Sequence, residues 1–147
     1  MIGDLLNEKT IEELEKDYWV TPSSFQTELV KSVFFLRKKP LIDFDSNDLR
    51  ILISQNIGLK YLVPKAIRQL EENVLEEALY YPGDLLSTLL NIDHTFWLKD
   101  DFERNHFISL VKESKPNIIG SVVINDDIRE DLINSIDRFI SSFSPSI

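Results

Sequence analysis

The sequence predicts an all-α fold, a single compact domain of about six to eight packed helices spanning residues 1–147. Three observations predict it. Apolar residues recur at helical spacing in several separate stretches, clearest in Leu59, Leu62, Val63, Ala66, Ile67 and Leu70, which fall on one stripe of a helix. Residues of the N-cap type, Thr, Asp, Ser and Asn, stand just ahead of those stretches. The one run that favours β structure by composition, Ile118-Ile119 with Val122-Val123-Ile124, has no second strand to pair with and reads as loop or helix end.

The elements follow in order. Thr10-Ile11-Glu12-Glu13 is a capping box, in which the Thr hydroxyl and the Glu carboxylate each satisfy an orphan backbone N–H, so a short helix starts there. Leu29, Val33 and Leu36, with Val30 and Phe34 beside them, form an amphipathic helix that stops at Arg37-Lys38-Lys39-Pro40. Cations suit a helix C-terminus and proline prevents continuation, so the basic triplet needs no nucleic-acid partner. Asp45-Ser46-Asn47-Asp48 opens a helix carrying Leu49, Leu52 and Ile53, and Gly58 suits the break before the Leu59–Leu70 stripe. Pro64 lies within that stripe; lacking an N–H, it implies either a kink or a helix that begins near it. After a Tyr80-Tyr81-Pro82-Gly83 turn, Asp84 is placed to cap a helix with Leu85, Leu86, Leu89 and Leu90. Phe102, Phe107, Leu110 and Val111 mark another helix, and Ile128, Leu132, Ile136, Phe139, Ile140 and Phe143 the last. Several amphipathic stripes sharing one core make an all-α domain.

Composition narrows the function classes. At 147 residues one domain is the default, and there is no Gly/Ser linker, repeat or low-complexity segment to divide it. The absence of Cys removes disulfide frameworks, thiolate metal sites and cysteine nucleophiles, and agrees with a reducing compartment. With no signal-peptide pattern at the start and no apolar run of bilayer length, the expected location is cytoplasmic. Sixteen Lys and Arg against 25 Asp and Glu give a formal charge of -9, which opposes binding to nucleic acid or to an anionic membrane and leaves a basic partner open.

No motif in the chain commits to catalysis. Asp43, Asp45 and Asn47 hold positions 1, 3 and 5 of a calcium loop, but Asp48 replaces its glycine and Ser54 its bidentate glutamate, so turn and cap chemistry explains them. His94 and His106 are the two histidines; they lack metal-ligand spacing, and an enzyme built on them would need carboxylates from elsewhere in the fold. The four glycines are too scattered to cradle a phosphate. No cofactor or metal is expected. The acidic groups Asp100-Asp101 with Glu103, and Asp126-Asp127 with Glu130-Asp131, suit helix N-termini. More distinctive is the stretch from Glu71 to Asp84, where Glu71, Glu72, Glu76 and Glu77 border the adjacent Tyr80 and Tyr81. Paired aromatic anchors rimmed by carboxylates suit a surface for a partner's Lys and Arg.

The stretch from Asp48 to Ile67, with Gln55-Asn56-Ile57-Gly58-Leu59 at its centre, together with Leu70-Glu71-Glu72-Asn73 and Tyr80-Tyr81-Pro82-Gly83-Asp84-Leu85-Leu86, resembles the immunity proteins of bacterial contact-dependent growth inhibition. Leu29-Val30-Lys31-Ser32 and Leu36-Arg37-Lys38-Lys39-Pro40-Leu41 are similar as well, so the likeness covers roughly residues 25–98. Where the family commonly has a Gly-acidic step before the tyrosines, this chain has Ala78-Leu79. The resemblance implies a cytoplasmic, non-enzymatic antidote that binds the C-terminal domain of a large toxin, often a nuclease, and blocks it one to one. Glu71, Glu72, Glu76, Glu77, Tyr80, Tyr81 and Asp84 are then the candidate toxin-binding residues. The alternatives are an acidic adaptor or DNA mimic that binds several basic proteins, and a small hydrolase using His94 or His106.

Overall fold

A computed structural model describes residues 2–143, with side chains described from residue 5 onward. Among the described residues there are nine α-helices and no strand. They are α1 (Ile2–Asn7), α2 (Ile11–Glu15), α3 (Glu28–Leu36), α4 (Ser46–Ser54), α5 (Leu59–Glu72), α6 (Asp84–Leu90), α7 (His94–Lys99), α8 (Asp101–Ile119) and α9 (Asp126–Ser142), with a 3-10 turn at Leu41–Asp43. Against the expected six to eight, the additions are α1 and α7, each six residues long and too short for a periodic stripe to register. The apolar run after Asn117 is the end of α8 followed by a loop.

Local cap chemistry starts several helices as the sequence reading requires. Thr10 and Glu13 form the reciprocal capping box of α2, and Asp45 and Asp48 form another at α4. Asp100 and Asn125 cap α8 and α9 by accepting the N–H of Glu103 and Ile128. Asp101 and Asp126 pair with Arg104 and Arg129 one turn on, so much of the acidity there belongs to helix starts. Pro64 is the sixth residue of α5, so the helix neither starts at the proline nor stops there.

The basic triplet after α3 has a structural role, though a tertiary one. Lys38 pairs with Glu12 at 3.0 Å and Lys39 with Asp48 at 2.7 Å. Arg37 is buried; it donates Nη2 to the Asp17 carbonyl at 2.7 Å and stacks on Trp19 at 3.9 Å, pinning the extended segment between α2 and α3.

The core lies where α4, α5, α6, α8 and α9 meet. It is filled by Leu52, Ile53, Leu62, Ile67, Leu85, Leu86, Val111 and Ile136, each fully out of water. Burying a large aliphatic side chain is worth about 1.5–3 kcal/mol, so each of these positions contributes substantially to the stability of the fold. Trp97 of α7 stacks on Phe107 of α8 at 5.0 Å, and Phe139 of α9 meets both edge-on. The short helix α6 packs against both α4 and α9. That position places the loop ahead of it, residues 73–83, at the junction of the two.

Candidate partner-binding surface

The loop between α5 and α6 is tightly closed. Asn73 ends α5, its side chain accepts the N–H of Leu75, and its carbonyl accepts that of Glu76. Glu77 and Pro82 form an isolated antiparallel bridge, and the N–H of Gly83 donates to the Glu76 carbonyl at 3.2 Å. Gly83 has φ +96°, a conformation that suits glycine, and a Cβ there would come within 2.8 Å of Leu132 in α9.

Asp84 does something other than the capping expected of it. Gly83 occupies the N-cap of α6, while Asp84 is its first residue, 3% exposed. Its carboxylate reaches back to accept the backbone N–H of Ala78 at 2.7 Å, of Leu79 at 3.0 Å and of Tyr80 at 2.9 Å. Burial works to raise the pKa of Asp84, but the N–H groups of Ala78, Tyr80, Leu79 and Leu85 outweigh it and hold the carboxyl below its ordinary value. A charged acceptor with three donors fixes the loop's tip.

What that tip presents is apolar and exposed. Leu79 is 53% and Tyr80 69% accessible, large values for side chains on so constrained a backbone. The guanidinium of Arg50, on α4, lies 4.7 Å from the Tyr80 ring centroid, and its Nε donates to Asn47. Tyr81, half-buried, borders two depressions of about 290 and 440 Å³.

The structure therefore unites some of the sequence-selected residues and separates others. Tyr80, Tyr81 and Asp84 belong to one unit, with Asp84 beneath and the tyrosines above. Glu77 is exposed on the same loop, and Glu72 is exposed at the end of α5. Glu76 is half-buried and accepts hydrogen bonds from Ser46 and Gln69, so it ties the loop to α4 and α5. Glu71 faces α8, with His106 Nε2 at 3.3 Å and Glu103 on the far side of that ring, 3.9 Å from Nδ1. Burial foremost, then the charge of Asp100, pushes the Glu103 carboxyl up. His94 lies apart, stacked on Phe143 at 4.5 Å. Among the described residues no three His, Asp or Glu side chains converge as a metal site would require. No described helix is long and apolar enough to cross a membrane.

Sequence reasoning missed Arg50, which reaches Tyr80 only because α4 packs on α6, and missed the outer face of α6, where Ser87 and Asn91 line both depressions. No local pattern marks either. A family model described as CDI immunity proteins matches residues 13–107, a longer stretch than the likeness read from the motifs. Neither the curated proteins nor the solved structures compared with this chain give a match.

Proposed function

The chain belongs to the CDI immunity proteins, and from that premise we propose that it neutralises one cognate toxin by stoichiometric binding to the toxin's C-terminal domain. The family match carries this reading. In this reading the toxin domain is a nuclease, the protein acts in the cytoplasm without turnover of its own, and occlusion is the means of inhibition. A nuclease that grips phosphates needs a basic cleft, and a protein of net charge -9 is drawn to such a cleft by opposite fields that accelerate encounter. The same charge disfavours nucleic acid and anionic membrane as partners.

The Tyr80-Tyr81 loop is the docking element of this proposal. A rigid loop tip bearing an exposed tyrosine suits interface chemistry, because little conformational entropy remains to be lost on binding. Glu72 and Glu77 supply the acidic rim, Glu71 extends it toward α8, and Glu76 and Asp84 hold the loop in place. The test is to titrate the purified toxin domain encoded beside this chain with the protein while measuring the toxin's activity. Inhibition should become complete near one equivalent; a toxin that keeps full activity in excess protein contradicts the reading. A general adaptor would instead bind unrelated basic proteins with similar, strongly salt-dependent affinity.

A further inference from the structure

The N-terminal part of α5 carries the sign of charge opposite to that of the whole protein. Tyr61, Pro64, Lys65 and Arg68 follow at i, i+3, i+4 and i+7, so they share one stripe of that helix. With Lys60 they line a pocket of about 160 Å³ whose opposite wall includes Asn7 of α1 and Leu41 of the 3-10 turn. Three cations and no carboxylate stand in that lining, in a protein of net charge -9.

These cations are not neutralised by the protein itself. Lys38, Lys39, Arg104, Lys115 and Arg129 each hold a carboxylate, but Lys60, Lys65 and Arg68 have no ion-pair partner among the described residues. Lys60 lies against the Tyr61 ring, its Nζ 5.6 Å from the centroid, and Lys65 donates Nζ to a neutral acceptor, the Asn7 side-chain oxygen, at 3.1 Å. The charge of Arg68 reaches Glu103 of α8, yet Glu103 and Glu71 stand on the two sides of the His106 ring. Burial foremost, then the charge of Arg68, holds the Lys65 ammonium below its ordinary pKa. An anion in the pocket would offset both, and Lys and Arg side chains bring several N–H donors to it.

The pocket is well under the roughly 300–1,000 Å³ of a small-molecule site, so it suits a single side chain. A polyanion such as nucleic acid is repelled by the field of a protein at -9 before it reaches the pocket, whereas one carboxylate on an otherwise basic partner is not. We infer that the pocket takes an Asp or Glu side chain of the toxin domain, held by Lys65 and Arg68. The inference rests on the toxin-binding reading and deepens it. Opposite net fields bring two proteins together without fixing how they are turned, and one pair of inverted sign fixes the register. Glu72 of the proposed rim lies one turn beyond Arg68 on the same stripe, so pocket and rim can face one partner. A toxin with no acid at that place would bury Lys65 further without a counter-charge, so the pocket also discriminates among toxins.

The test is titration calorimetry of the purified toxin domain encoded beside this chain into the wild-type protein, K65Q/R68Q, R68Q alone, and K99Q/K112Q, which removes two exposed cations outside the pocket. Both double variants make the protein more acidic by the same two charges, so the net field alone would leave binding to a basic domain equal or tighter in each. The expected split is the opposite: K65Q/R68Q weakens binding about 30-fold or more and R68Q about 5-fold or more, while K99Q/K112Q binds at least as tightly as wild type. Thermal unfolding of each variant alone checks the fold; R68Q, at an exposed position, remains decisive where loss of the Lys65 bond to Asn7 loosens α1. Wild-type binding that K65Q/R68Q and R68Q leave unchanged or tighten overturns the inference and leaves the neutralising function standing. A wild-type protein that does not bind the toxin domain overturns both together. Asp4 stands one turn before Asn7 in α1, so D4A is measured as well: D4A and K65Q/R68Q lowering the unfolding midpoint equally, with toxin affinity unchanged in both, would give the pocket to the chain's own carboxylate and overturn the inference.

Discussion

Two connections in this molecule use the same backbone device and put it to different ends. Between α4 and α5, residues 55–58 turn the chain with Asn56 at φ +57° and Gly58 at φ +65°. The apolar part of that turn faces the protein and only polar side chains face water: Gly58 is buried, a Cβ on it would come within 2.7 Å of Ile11, Ile57 is half-buried, and of the exposed Gln55 and Asn56 the Asn56 side chain accepts the N–H of Asp93. Between α5 and α6, residues 73–83 also end on a left-handed glycine packed against a neighbouring helix. This longer loop has a second side, however, on which Leu79 and Tyr80 stand in water. The first connection only joins helices. The second holds its outward side chains still by bonding its inward side to Asp84.

That contrast can be broken at its strongest point, Asp84. Asp84→Asn keeps the size but puts an amide N–H against backbone N–H donors, so it should lower stability by about 3 kcal/mol at neutral pH, read by urea denaturation. The pH dependence follows from the depressed pKa. The carboxylate's contribution is complete above the ordinary carboxyl value and is lost as pH falls through the lower, folded-state value. The gap between wild type and variant should therefore narrow as pH drops below about 4. A constant gap across that range would mean the charge of Asp84 does not hold the loop.

The two glycines sharpen the comparison at a smaller scale. Gly58→Ala and Gly83→Ala each force a side chain into left-handed backbone, and each should cost about 1–2 kcal/mol. Gly83→Ala should also reduce toxin affinity, since it displaces the loop, whereas Gly58→Ala should leave affinity unchanged once the protein is folded. Equal effects on affinity would erase the distinction between the two connections. Smallest in stability is the double reversal E72K/E77K, which should shift the unfolding midpoint hardly at all because both side chains are exposed. Stopped-flow mixing at low salt should show association slowed several-fold, with the difference fading as salt rises.

The sequence made the helices legible where the chemistry is local. The Thr10 and Asp45 capping boxes involve partners three residues apart, and the stripe from Leu59 to Leu70 repeats often enough to declare itself. The site was legible only in part. Tyr80 and Tyr81 stood out by composition, and the stretch around them carries the family likeness. The role of Asp84 did not, since a carboxylate one residue inside a helix resembles an ordinary cap until the loop folds back over it. The approach of Arg50 to Tyr80 and the two depressions beside Tyr81 depend on how α4 and α9 pack around α6, which no sequence window contains. The cluster from Glu71 to Glu77 reads as continuous along the chain, yet in space Glu71 turns to His106 and Glu76 to Ser46 and Gln69.

The central claim is that the inward side of the 73–83 loop keeps the fold while its outward side binds the toxin. Tyr80→Ala tests it most directly, with toxin affinity and unfolding midpoint measured on the same preparation. Tyr80 is 69% exposed and its backbone N–H is held by Asp84 whatever its side chain, so the midpoint should stay within about 2 °C. The Kd for the toxin domain should rise about 30-fold. An unchanged Kd, or an affinity lost only in step with the fold, would contradict the account.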